Sequence, residues 1–127
     1  MKIENIKFKA KELGTGKWKV GFLQRDMDYN LCILIANKED HSWYWTQIDP
    51  STVCMFTGLK DCEGKEIWEG DIIRNPEFPF EKRTVTWSNN SSCFMPIDED
   101  GCQDRDFSFL VLFKEWTVVG NKFDKKK

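Results

Sequence analysis

Apolar residues alternate with polar ones in short runs along the chain. No window of a dozen residues carries the i, i+3, i+4, i+7 spacing of an amphipathic helix. Ile6, Phe8 and Ala10 alternate with lysines, and Trp18, Val20 and Phe22 alternate with Lys17, Lys19 and Gly21. Gly14 and Gly16 fall between the two runs, so the pattern predicts an N-terminal hairpin with its lysines on one face and its aromatics on the other. Arg25–Asn30 reads as a polar turn, Leu31–Ala36 as a strand buried on both faces, and Asn37–Asp40 as a further turn. Trp43-Tyr44-Trp45-Thr46-Gln47-Ile48 is rich in strand formers. Asp49-Pro50-Ser51-Thr52 opens one helical turn or a loop.

Past Thr57 the punctuation sharpens. Asp61-Cys62-Glu63-Gly64 has the Asp-first, Gly-last preference of a type I turn, and Glu69-Gly70 breaks the chain again, leaving Lys65–Trp68 as a short strand. Ile72-Ile73 begins the next strand, which Pro76 and Pro79 should stop. Val85-Thr86-Trp87, Cys93-Phe94-Met95 and Glu115–Val119 read as strands, and Phe107–Phe113 is helical or extended. The expectation is a mainly β chain of about eight strands with at most one or two short helices: a small barrel-like, SH3-like module. It is read as a single domain over 1–127, with lobes 1–55 and 56–121 and a basic tail at 122–127.

The 127 residues suffice to bury about two-thirds of the surface of the extended chain, so a core forms without crosslinks. With 40% hydrophobic residues and four prolines, disordered and collagen-like classes are excluded. A net charge of −2 argues against a protein whose main work is neutralising a phosphate backbone. Charge is nonetheless segregated, with a local +4 over residues 1–19 and a local −4 over 98–106. The longest unbroken apolar run, Leu31–Ala36, is far below the ~18 residues that cross a bilayer. Nothing at the N-terminus reads as a secretory signal. Cys32, Cys54, Cys62, Cys93 and Cys102 are odd in number and form no C-x-x-C pair, which favours reduced thiols in a cytoplasm over disulfides or zinc.

The segment Thr57–Ile73, T-G-L-K-D-C-E-G-K-E-I-W-E-G-D-I-I, resembles the hallmark stretch of the YopX family of small phage and prophage proteins. Thr57, Gly58, Leu59, Asp61, Gly64, Ile67, Trp68, Gly70, Asp71 and Ile72 carry the match. It extends to Ile6–Ala10, Ile48-Asp49-Pro50, Thr52-Val53, Val85-Thr86-Trp87 and Val118-Val119-Gly120-Asn121. Lys122 departs from the aliphatic residue usual there, and the tail lacks Pro. The resemblance implies phage or prophage origin, the host cytoplasm and an accessory role; it brings no established activity. The motif's glycines and aspartates read as shaping backbone turns.

Motifs that carry chemistry are incomplete. Gly14-Thr15-Gly16-Lys17 resembles the end of a phosphate-binding loop, but Lys11 and Trp18 stand where Gly and a hydroxyl are needed. Aligning Asp98-Glu99-Asp100-Gly101 with a calcium loop puts Pro96 and Phe107 at ligand positions. The single histidine, His41, is followed by Ser, Trp and Tyr instead of ligands. The aromatics are the stronger lead. In a strand Trp43 and Trp45 point one way and Tyr44 the other, so one of the two faces offers aromatic surface to a second lobe, a protomer or a ligand.

These readings converge on a non-enzymatic protein–protein interaction module, self-associating and binding a host or phage protein, with no cofactor, metal or membrane implied. Its candidate surface is Trp43, Tyr44, Trp45, Lys7, Lys9, Lys17 and Lys19. The alternative uses the same residues to bind single-stranded nucleic acid by stacking and charge. A third reading, a small hydrolase or thiol enzyme, would pair His41 with a cysteine or carboxylate.

Overall fold

The alternating runs fold into ten strands and two single-turn 3-10 helices in the computed structural model, which describes residues 2–75, 77–89, 93–98 and 116–124. The chain is mainly β, as its pattern predicts. The strands group into two compact units, Met1–Phe56 and Thr57–Lys127, and the chain passes from one to the other within a strand. Phe107–Phe113, the acidic loop beyond Asp98 and the lysine tail 125–127 lie outside the described residues.

In the first unit β1 (Phe8–Lys11), β2 (Trp18–Arg25), β3 (Leu31–Ala36) and β4 (Trp43–Gln47) form an antiparallel meander. A 3-10 turn at Pro50–Thr52 follows, capped by the Asp49 carboxylate, which accepts the Ser51 N–H at 3.0 Å. It leads into β5 (Cys54–Lys60), whose first half returns beside β1 with Met55 opposite Phe8, giving the order β4-β3-β2-β1-β5. Ala10, Ile33 and Ile48 are the fully buried centre, with Phe8, Leu23, Leu31, Ile35 and Val53 packed against them.

Gly21 has no room for a side chain. A Cβ there would fall 2.1 Å from the Leu34 carbonyl oxygen, so only glycine permits the close approach of β2 and β3. The meander coils until Ile48 meets Glu12 at a single bridge. It goes no further: the small barrel that the sequence suggested does not close among the described residues, and β4 remains an end strand.

In the second unit the remainder of β5 lies beside β6 (Glu66–Trp68). A separate antiparallel sheet runs β10-β7-β8-β9, from β7 (Asp71–Asn75), β8 (Phe78–Ser88), β9 (Cys93–Ile97) and β10 (Thr117–Asn121). Ile67, Ile73, Val85 and Trp116 form its core with Leu59, Phe94 and Val118 against them.

One expectation is corrected here. Pro79 does not stop a strand but lies inside β8. The ladder to β7 pairs Arg74 with Lys82 and Asn75 with Phe78, so residues 79–81 are skipped and the missing N–H disturbs no pairing. β5, which the sequence pattern did not single out as a strand, runs extended through Gly58.

Candidate interaction surface

The motif residues are organised around two buried carboxylates in the second unit. Asp61 is 6% exposed. Its Oδ1 accepts the N–H groups of Glu63 (2.9 Å) and Lys65 (2.8 Å), closing the β5–β6 turn, while Oδ2 accepts the N–H of Val118 on β10 (2.9 Å). Asp71 is 2% exposed; its Oδ2 accepts the Trp68 N–H (2.8 Å) and its Oδ1 the Asn121 side-chain amide (2.9 Å). Thr57 donates its hydroxyl to the Ile67 carbonyl at 2.7 Å. Gly64 sits at φ +82° in the Asp61 turn and exposed Gly58 at +83°, while Ile67 and Trp68 are buried. Gly70, at φ +85°, donates its N–H to Val85 and accepts that of Lys122. Half-buried Ile72 lines a depression of about 400 Å³ with Lys82, Val119 and Lys122.

The aromatic residues occupy the first unit. Residues paired across antiparallel strands share a face. The register therefore puts Phe8, Gly21, Leu23, Ile33, Ile35 and Tyr44 on the core side, and Phe22, Leu34, Ala36, Trp43 and Trp45 on the other. That outer face is uncovered among the described residues: Trp43 is 56% exposed, Trp45 60%, Val20 45% and Phe22 43%. Phe22, Leu34 and Trp45 stand in one row across β2, β3 and β4.

The register also divides the lysines, which corrects the hairpin with all its lysines on one face. Lys9 pairs with Val20 and Lys11 with Trp18, so they lie on the aromatic side. The Lys9 ammonium sits 4.7 Å above the Trp18 ring and that of Lys11 5.3 Å, while Lys7 lies over Phe56 at 4.6 Å. Lys19 pairs with Ala10 and faces the opposite way, and Lys17 remains exposed in the turn. Phe22, Val20 and Leu34 belong to the exposed face, which the sequence pattern did not distinguish from the core face. The competing signal is Leu23, which with Gly21 forms the true inner face of that strand.

Hydrogen-bonded carboxylates also lie around this sheet. The Thr46 and then the Thr15 hydroxyl donate to Glu12 and hold its carboxyl below the usual range. The N–H of Asn30 is the largest of several donors that lower Asp26. Burial beneath that turn pushes the Cys32 thiol up. His41 sits exposed in the β3–β4 turn at φ +59°. Among the described residues no three His, Cys, Asp or Glu side chains are grouped to hold a metal, and no helix is long and apolar enough to cross a membrane.

A family model described as YopX protein matches residues 8–126. The chain belongs to the YopX family. No curated protein matches it. In this YopX chain the T-G-L-x-D and G-D-aliphatic signatures are turns whose carboxylates reach β10, the strand of the closing Val118-Val119-Gly120-Asn121. Lys122 is accommodated because its position contributes a backbone N–H to Gly70, while its ammonium rests 4.9 Å from the Phe123 ring.

Proposed function

We propose that this YopX-family chain is a non-enzymatic protein–protein interaction module that self-associates, an accessory protein of phage or prophage origin acting in the host cytoplasm. One observation carries the reading: the outer face of the β2–β4 sheet exposes Val20, Phe22, Trp43 and Trp45 together, and Phe22, Leu34 and Trp45 make an uncharged row across its three strands. Contiguous apolar surface of that kind marks contact sites in water. Indoles and phenyl rings supply the large, rigid anchors that dominate binding energy. The motif carboxylates, already engaged by backbone amides, support a structural role for the motif.

Size-exclusion chromatography with light scattering tests the proposal. The mass should rise with concentration from the 15.0 kDa of one chain toward twice that. A constant single-chain mass up to millimolar concentration would contradict self-association.

A second reading, single-stranded nucleic acid stacking on the same face, draws support from Lys9 and Lys11 lying on the aromatic side. It predicts quenching of tryptophan fluorescence by oligonucleotides that weakens steeply with salt. The existing engagement of both lysines with Trp18 and the net charge of −2 place it second.

A further inference from the structure

The free edge of β4 has a defined length and a defined set of unused backbone groups. Asn37 donates its N–H to the Ser42 carbonyl, and Ile48 donates to that of Leu31. In an antiparallel ladder hydrogen-bonded and non-hydrogen-bonded pairs alternate. Ser42, Tyr44, Thr46 and Ile48 therefore turn their backbone groups toward β3, and Trp43, Trp45 and Gln47 turn theirs outward. Gln47 confirms the alternation, because its carbonyl accepts the Leu13 N–H from outside the β3–β4 pair. The N–H and C=O of Trp43 and Trp45 are left facing away from the sheet, and among the described residues no strand pairs on that side.

We infer that β4 pairs antiparallel with β4 of a second copy, with Tyr44 on the twofold axis and Trp43 opposite Trp45 of the other chain. This rests on the interaction reading above and specifies its geometry. In that register all four outward groups of each chain are used, in four N–H···O=C bonds, and Gln47 is not needed. Centring on Trp45 would instead call on the Gln47 carbonyl that Leu13 already occupies.

Three observations select a second copy as the occupant. A twofold contact sets each residue against its own mirror mate, so any charge near the axis repels itself. Ser42-Trp43-Tyr44-Trp45-Thr46 has none. It also lacks the Lys, Pro or bulge with which edge strands normally refuse a partner. Finally, Trp43, Tyr44 and Trp45, the three side chains that this pairing brings together, are 56%, 45% and 60% exposed, so the large rings at the seam stand uncovered in the single chain. Pairing places Trp43 and Trp45 of each chain side by side on the outer face and the two Tyr44 side chains together on the inner one.

The test is site-directed crosslinking of the full chain with Cys62→Ser, Cys93→Ser and Cys102→Ser as background. Tyr44→Cys sets two thiols face to face across the axis, and under glutathione disulfide a covalent dimer should form at least about tenfold faster than from Met27→Cys, at an exposed turn. Trp45→Pro removes one outward N–H without touching the β3 ladder and should raise the dimer Kd at least about tenfold beyond the effect of Trp45→Thr, which keeps it. A dimer that persists by light scattering while Tyr44→Cys crosslinks no faster than Met27→Cys would overturn the strand pairing and leave the interaction reading standing. A single-chain mass at every concentration would overturn both.

Discussion

The carboxylate of Asp71 accepts a 2.9 Å hydrogen bond from the side-chain amide of Asn121, fifty residues further along the chain, and both are buried. Asn121 in turn accepts the Phe123 N–H, so the pair fixes the end of β10 against the turn that opens β7. A buried carboxylate that loses a donor keeps the full cost of its desolvation. Asp71→Ala and Asn121→Ala should therefore each destabilise by about 2–4 kcal/mol. Their effects should be non-additive, with a coupling of about 1 kcal/mol or more. Urea unfolding of the two single variants and the double variant measures this directly.

Asp61 has a wider reach than its turn, because one oxygen serves Glu63 and Lys65 and the other serves Val118. Asp61→Ala leaves three backbone N–H groups without an acceptor and should cost at least about 3 kcal/mol. Asp61→Asn retains one acceptor oxygen and should recover part of that loss. Equal destabilisation by the two substitutions would show that the retained oxygen restores none of these hydrogen bonds.

Gly70, in the turn that opens β7, and Gly120, in β10, give opposite expectations. At Gly70 a side chain would adopt φ +85° and meet Asn121 and Lys122 at 3.4 Å, so Gly70→Ala should cost about 1–2 kcal/mol. At Gly120 a Cβ meets nothing within 4 Å, and Gly120→Ala should stay within about 0.5 kcal/mol of the parent. Thermal melts of the two variants separate the cases.

Acid should weaken the first unit. The Ser51 hydroxyl and N–H lower the Asp49 carboxyl, the Ser42 hydroxyl lowers Asp40, and Thr46 and Thr15 lower Glu12. A carboxyl whose folded value lies below its unfolded one stabilises the protein at pH values above the unfolded value. The contribution is lost as pH falls through the folded value. The denaturation midpoint should hold between pH 7 and 5 and decline below about pH 4. Asp49→Asn should shallow that decline.

Thiol reactivity should follow burial. Cys62 is exposed and should react with a disulfide reagent within seconds to minutes, whereas Cys32, buried and with its thiol pushed up, should react only on unfolding. Mass spectrometry of partially labelled protein distinguishes them.

The sequence made the β class, most strand positions and the turn chemistry of Thr57–Asp71 legible, because period-2 alternation and Gly/Asp punctuation are local signals. Register is not local. Whether Lys9 shares a face with Trp18 or with Lys19 depends on which residue of β2 stands opposite, and a shift of one position exchanges the faces. The exposed row of Phe22, Leu34 and Trp45 was hidden for that reason, as was the reach of Asp61 and Asp71 to a strand some fifty residues away. Pro79 misled because proline reports a missing N–H, not whether the partner strand would have used it.

Amide hydrogen exchange at Trp43 and Trp45, followed as protein concentration is raised, reports the strand pairing itself. Their N–H groups face outward in the isolated chain and become ladder donors in the paired one. Exchange there should be fast in dilute solution and slow as concentration rises, while the Tyr44 and Thr46 amides stay protected throughout. Exchange at Trp43 and Trp45 that stays fast while the mass doubles would contradict the pairing.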